Sequence, residues 1–107
     1  MDKKLISVVI PCYNRRDKLP ACLFSVLGQT YTNMEVIVVD DASTDGTQEL
    51  FENITDPRVK YYRYEQNRGA CYARNYGAER ARGELLAFQD SDDTWHAEKL
   101  EKQLRLL

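Results

Sequence analysis

The stretch MEVIVVDDAST, Met34–Thr44, decides the fold. From Met34 to Val39 it is apolar everywhere except Glu35, and it then turns abruptly to Asp40 and Asp41. A strand with one face in water alternates apolar and polar residues. A continuous apolar run is what a strand covered on both faces needs. LISVVIP, Leu5–Pro11, has the same character upstream, and ELLAF, Glu84–Phe88, repeats it downstream. VKYYRY, Val59–Tyr64, is more mixed, with Val59, Tyr61 and Tyr64, and suits a place nearer a sheet edge.

Helix-like segments fill the intervals. Leu19, Cys22, Leu23, Val26 and Leu27 have the i, i+3, i+4, i+7, i+8 spacing of one helix face. Ser43 or Thr44 is placed to cap a second helix carrying Leu50, Phe51 and Ile54. A third, after Gly69, has small residues at Ala70, Ala73, Gly77 and Ala81, a face that allows close approach to a sheet. In HAEKLEKQLRLL, residues 96–107, Ala97, Leu100, Leu104 and Leu107 fall on one side. Strands alternating with helices predict an α/β chain of βαβ units: a mostly parallel sheet, right-handed crossovers, and helices on both faces. The 107 residues are room for one small domain, with no repeat or linker. The sequence stops inside an amphipathic pattern without a cap or polar tail, which predicts a piece of a larger fold.

Composition narrows the function classes. With 30% charged and 43% hydrophobic residues, the chain is globular and not disordered. A net charge of -2 gives no broad basic surface for nucleic acid and no polybasic membrane patch, and Lys3–Lys4 is too short to be either. No apolar run approaches the ~20 residues that span a bilayer. MDKKLISVVIPCYN has a basic start, but its short apolar run ends at Pro11 without a small-residue cleavage site, so it reads as a first strand and not a signal peptide. Cys12, Cys22 and Cys71 are odd in number and widely spaced, with neither metal-ligand spacing nor a disulfide framework, which predicts a reducing, cytoplasmic setting.

Open parallel sheets bind ligands beyond the carboxyl ends of their strands, where the strand order reverses. Polar residues collect there: PCYN ends the first strand, DDAS the second, EQNRG the third and QDSDD the fourth. One rim would then carry Tyr13, Asn14, Asp40, Asp41, Asn67, Arg68, Asp90, Asp92 and Asp93. Each has a plainer reading. Asp40 and Asp41 could cap a helix with Ser43, Tyr13 could pack in the core, Arg74 could be solvated, and Asn67 and Gly69 could be turn residues. Two adjacent carboxylates exceed one cap's needs, however, and a carboxylate after the second strand is where mononucleotide-binding sheets hold a ribose or base. Tyr13 offers a flat face and a hydroxyl. Trp95 reads as a core or anchor residue and His96 as an exposed one opening the last helix. Cys12 has no base beside it and is not read as a nucleophile.

FQDSDDTWH, Phe88–His96, places Asp90, Asp92 and Asp93 within four positions at a strand end. A cap needs one carboxylate. Three on a tight turn suit a hard divalent cation, Mg²⁺ or Mn²⁺, which prefers oxygen ligands. One or two protein carboxylates leave coordination positions for substrate phosphates.

Taken together, VVIPCYN, VIVVDDASTDGT, NRGACYARNYGAERARGELLAFQDSDD and W-x-x-EKL resemble the family-2 inverting glycosyltransferases of GT-A fold, from Ile6 to Leu100. The resemblance implies a Rossmann-like GT-A sheet truncated to its N-terminal βαβ half, with residues 1–107 forming the donor-binding part. It implies an enzyme that uses a nucleotide-diphosphate sugar, usually a UDP-sugar, with Mn²⁺ or Mg²⁺, and a saccharide or lipid-linked acceptor. By match to the family's motifs, Pro11 and Tyr13 frame the nucleotide base, Asp41 hydrogen-bonds it, and Arg74 lies near the nucleotide. Asp92 contacts the ribose, Asp93 ligates the metal, and Asp90 opens the DXD-type motif. The acceptor half and the catalytic base are expected downstream of Leu107, so these residues alone are expected to be inactive. Any association with the inner face of a membrane would come through regions outside this sequence. Ala97 stands where many relatives have Pro, and Gln89 where an apolar residue is common.

Three rivals remain. A non-catalytic nucleotide or metal binding module would share the rim. A receiver-type phosphoacceptor domain would want a lysine on a late loop, yet none lies between Lys60 and Lys99. A dinucleotide-dependent dehydrogenase would want a glycine-rich turn after the first strand, and PCYNRRDK has no glycine.

Overall fold

The apolar runs form one sheet. The computed structural model describes residues 4–106; Leu107, assigned above to the last helix face, and Lys3 lie outside them. Strands β1 (Ile6–Cys12), β2 (Met34–Asp41), β3 (Val59–Tyr64) and β4 (Leu85–Phe88) are all parallel, in the order β3-β2-β1-β4. Val8 of β1 pairs with Val36 of β2 on one side and Ala87 of β4 on the other. All eight residues of β2 are buried, whereas those of β3 are all half-buried at an edge.

The pleat divides the side chains between two layers. Val8, Ile10, Val36 and Val38 face helices α1 (Leu19–Leu27) and α3 (Lys99–Leu104), meeting Cys22, Val26 and Leu100. Val9, Ile37 and Val39 face helix α2 (Ala70–Arg80) through Ala73. At Gly77 a methyl group would lie 2.5 Å from Val9 Cγ1 and 3.1 Å from Val39 Cγ2, so the small-residue stripe is what lets α2 settle on the sheet. No helix among the described residues is long and apolar enough to cross a membrane.

Two expected helices differ. The second is a six-residue 3₁₀ helix, Thr47–Glu52, and neither Ser43 nor Thr44 caps it. The chain turns at Gly46, with φ +83°, and Asp45 Oδ1 accepts the Thr47 N–H at 3.1 Å and its hydroxyl at 2.5 Å. Starting this late leaves room for only a short segment, where 3₁₀ geometry is common and α nucleation is costly. Leu50, Phe51 and Ile54 still pack against the core. The last helix begins at Lys99, so Ala97 precedes it and is exposed. The Thr30 N–H donates to the Ala97 carbonyl at 2.8 Å, and Gln29 Oε1 accepts the Leu100 N–H at 3.0 Å, fixing the entry to α3.

The one polar residue inside β2's apolar run has a structural task. Glu35, 4% exposed, accepts the Ser7 hydroxyl at 2.5 Å, the Arg82 N–H at 2.6 Å and Lys60 Nζ at 2.9 Å. Ser7 Oγ in turn accepts the Gly83 N–H at 2.8 Å. This cluster fastens the turn before β4 to the amino ends of β1 and β2. Burial pushes the Glu35 carboxyl up, but the hydrogen bonds from Ser7, the Arg82 amide and Lys60 outweigh it and hold it below its ordinary range.

Candidate functional site

The order β3-β2-β1-β4 reverses between β1 and β4, so a crevice opens beyond their carboxyl ends. A cavity of about 450 Å³ lies there. Pro11, Tyr13, Asn14 and Arg15 line it from the end of β1, Asp41 from β2, Ala70, Ala73 and Arg74 from α2, and Asp90, Ser91 and Asp92 from the segment after β4. Four of the expected site residues outside the acidic turn therefore share one cavity with Asp92. Its size suits a small polar ligand. A second hollow, about 480 Å³ between α1 and the 3₁₀ helix, is walled mainly by Leu19, Leu23, Phe24, Leu50 and Phe51 and lacks convergent polar groups.

The two carboxylates ending β2 do different things. Period-two alternation sends them to opposite faces. Asp40 is fully buried toward the α1 layer, accepting the Tyr61 hydroxyl at 2.5 Å and the Ser43 N–H at 2.9 Å, with Arg63 Nε 4.0 Å away. It is not a rim residue. Asp41 turns toward α2 and lines the cavity although only 4% exposed. Its Oδ1 accepts the Tyr64 hydroxyl at 2.5 Å and the Arg68 N–H at 2.9 Å, and its Oδ2 accepts the Gly69 N–H at 2.9 Å. Burial foremost, then the bond to Asp41, pushes the Tyr64 hydroxyl well above its ordinary range, so it stays a donor.

The loops after β1 and β2 are laced together. Asn14 N–H donates to Ser43 Oγ at 2.9 Å, and Asn14 Oδ1 accepts the Thr44 N–H at 2.8 Å. Asn14 has φ +52° and Ala42 φ +62°. Left-handed backbone is tolerable for Asn and costly for Ala, so both strand ends are held in unusual conformations beside the cavity. Tyr13, next to Asn14, is 46% exposed and lines the cavity.

Across the cavity two arginines face the acidic turn: Arg15 Nη2 lies 4.0 Å from Asp92 Oδ2, and Arg74 Nη2 lies 3.9 Å from Asp90 Oδ1. All four side chains are substantially exposed, so these pairs contribute little to stability. Asp93 lies outside the cavity lining and makes no side-chain hydrogen bond or ion pair among the described residues; its N–H donates to the Asp90 carbonyl at 3.1 Å. Among the described residues no three His, Cys, Asp or Glu side chains converge to hold a metal by themselves. An exposed, unpaired carboxylate beside two that arginines approach fits a hard cation with one or two protein ligands, the rest coming from phosphate.

Other candidates stay structural. Cys12 is buried, and burial foremost, with Asp40 next, pushes its thiol far above its ordinary range, which removes it as a nucleophile. The Cys22 thiol, pushed up to about 11 chiefly by burial, donates to the Asp90 carbonyl at 3.4 Å and ties α1 to the acidic turn. His96 is exposed, and its carbonyl accepts from Gln29 Nε2 at 2.6 Å. Trp95 packs against the core. Gln89 is buried as the last residue before the turn. Sequence reasoning missed Arg15 and the grip of Tyr64 on Asp41. The signal for the second lies in strand register, which sets Asp41 opposite Tyr64.

The sequence profile described as Glycosyl transferase family 2 matches residues 7–107. The chain is 46% identical over 107 residues to the putative teichuronic acid biosynthesis glycosyltransferase TuaG of Bacillus subtilis (strain 168), covering 98% of this chain and 42% of that protein. It is 42% identical over 107 residues to the UDP-Glc:alpha-D-GlcNAc-diphosphoundecaprenol beta-1,3-glucosyltransferase WfgD of Escherichia coli, covering 100% and 42%. Among solved structures, the mannosyltransferase PcManGT from Pyrobaculum calidifontis in complex with GDP-Man and Mn²⁺ superposes with a TM-score of 0.89 at 28% identity, covering 97% of this chain and 32% of that one. The chain thus spans less than half the length of these relatives, and its parallel sheet is that of the GT-A glycosyltransferases.

Proposed function

The chain belongs to glycosyl transferase family 2, and we propose that residues 1–107 are the donor-binding part of an enzyme that moves a sugar from a UDP-sugar to an acceptor hydroxyl with inversion. The observation that carries this is the cavity at the β1–β4 switch, where Pro11 and Tyr13, Asp41, Arg74 and Asp92 arrive from four segments.

The roles follow from the chemistry of each group. Pro11 and the Tyr13 ring frame the base. Asp41, an acceptor held rigid by three donors, takes a base N–H. Arg74 supplies positive charge toward the nucleotide. Asp92 accepts from a ribose hydroxyl, which would draw it away from Arg15. Asp93 is the carboxylate offered to Mn²⁺ or Mg²⁺. Such an ion would be held by Asp93 and would supply positive charge against the leaving diphosphate.

An inverting transfer also needs a base to take the acceptor's proton. Asp40 is buried against Tyr61, Asp41 is engaged, Asp90 is faced by Arg74 at 3.9 Å, and Asp92 and Asp93 are committed to the donor. We therefore assign the base and the acceptor wall to residues beyond 107, and expect these residues alone to bind donor without transferring sugar. WfgD is named for UDP-Glc as donor and a diphosphoundecaprenol-linked acceptor. A lipid-linked or saccharide acceptor met at the cytoplasmic face of a membrane is the setting we propose here.

Calorimetry of UDP with and without Mn²⁺, beside a sugar-transfer assay on this chain and on a longer one, tests the reading. UDP binding that Mn²⁺ strengthens, without transfer by the shorter chain, is expected. UDP binding indifferent to Mn²⁺ would remove the cation from the donor site. Transfer by residues 1–107 would place the base within them.

A further inference from the structure

The base site has an acceptor whose capacity can be counted. A carboxylate offers about four lone-pair positions on two oxygens. On Asp41 three are filled: two on Oδ1, by the Tyr64 hydroxyl and the Arg68 N–H, and one on Oδ2, by the Gly69 N–H. One position on Oδ2 is left for a ligand. The two backbone donors are fixed by the chain, because Gly69, at φ +91°, precedes α2 and aims its own and the preceding amide at the carboxylate. The Tyr64 hydroxyl is the one donor of the three that a side chain supplies.

We propose that Tyr64 is a specificity-determining residue of the base site: by occupying an acceptor position on Asp41, it leaves a single one, which selects a base edge with one N–H between carbonyls and disfavours guanine. This rests on the reading of Asp41 as the base acceptor. Uracil and thymine present N3–H flanked by two carbonyls and need one acceptor. Guanine presents N1–H beside an exocyclic amine, and these adjacent donors match a carboxylate with both oxygens open. Here the amine would meet Oδ1, already filled, and would be buried without a partner. Cytosine presents an unprotonated N3, whose lone pair would face the carboxylate.

Ring size is a confounding variable when UDP is compared with GDP, so the decisive pair is inosine diphosphate and GDP, which differ only by the exocyclic amine. UDP, CDP, IDP and GDP are titrated with Mn²⁺ into the wild-type chain, Tyr64→Phe and Tyr64→Leu. Tyr64→Phe keeps the ring that meets Tyr72 and Tyr76 edge-on, both at 5.3 Å between centroids. The wild type should bind UDP more tightly than CDP, and IDP more tightly than GDP by about tenfold, the scale of one unpaired buried donor. Removing the hydroxyl should bring the IDP-to-GDP ratio to about one. Equal binding of IDP and GDP by the wild type overturns the proposal, as does a ratio that persists in both folded variants. No titration of any diphosphate, UDP included, would instead sink the donor-site reading. UDP binding with no preference over CDP would take the base away from Asp41.

Discussion

Asn14 Oδ1 accepts the backbone N–H of Thr44 at 2.8 Å, joining the loop that carries Tyr13 to the loop that follows Asp41. Asn14 itself has φ +52°, a conformation that Asn adopts more readily than most residues. Two variants separate the terms. Asn14→Gly keeps the backbone and loses the side-chain acceptor, and should cost about 1 kcal/mol. Asn14→Ala loses both and should cost about 2 kcal/mol. Urea denaturation measures the difference, and equal losses would mean that the backbone conformation contributes nothing.

Asp41→Asn acts on fold and ligand together. Whichever way the new amide turns, its NH₂ faces the Tyr64 hydroxyl and the Arg68 N–H, or the Gly69 N–H. The variant should lose about 1–3 kcal/mol of stability as well as UDP affinity. A variant as stable as the wild type would show that these three donors do not depend on the carboxylate's charge.

Asp93→Ala addresses the cation. Metal and nucleotide that share phosphate oxygens must strengthen each other's binding by the same factor. That factor should collapse toward one in Asp93→Ala, read from UDP titrations at several Mn²⁺ concentrations. Coupling retained at the wild-type factor would move the metal ligand to Asp92 or Asp90.

Acid should loosen the amino end of the sheet. The folded Glu35 carboxyl is held below its ordinary value of 4.5, so its contribution to stability is present above that pH and is lost as pH falls through the folded value. Asp45 and Asp56 are held low as well, and add to the same loss. Thermal melts from pH 7 downward should fall less steeply below 4.5 for Glu35→Gln than for the wild type. Parallel curves would show that Glu35 has the same proton affinity folded and unfolded.

Much of this arrangement was legible in the sequence. Continuous apolar runs gave two strands buried on both faces, β1 and β2, and the mixed VKYYRY gave one edge; ELLAF, expected to be buried, forms the other edge, with Leu86 and Phe88 exposed where α2 does not cover them. The spacing Leu19, Cys22, Leu23, Val26 marked α1's buried face, and Ala73 with Gly77 marked α2's close approach. What stayed hidden was set by contacts between segments. Nothing local distinguishes Asp40 from Asp41; only the pleat, with Tyr61 below and Tyr64 above, makes one a buried anchor and the other a cavity wall. The 3₁₀ helix replaced an α-helix because Asp45 and Gly46 turn the chain later than Ser43 would have. Arg15 carries no local signal that sets it apart; its place at the site is set by Asp92, 77 positions later in the chain and 4.0 Å away.

The Ser7–Glu35–Lys60 cluster lies at the amino ends of the strands, and the cavity at their carboxyl ends. Register is therefore fastened at one pole of the sheet, while ligand chemistry is distributed over loops at the other. Substituting Arg15, Tyr13 or Arg74 disturbs none of the bonds that Glu35 makes. A chain built this way is tolerant to drift in its recognition loops: descendants can acquire a different donor preference without first losing the ability to fold. The hydrogen bonds that Glu35 makes are remote from the loops that carry Tyr13, Arg15 and Arg74. At Asp41 the proposed recognition and the loop architecture would share one carboxylate, and there evolutionary change would be slow.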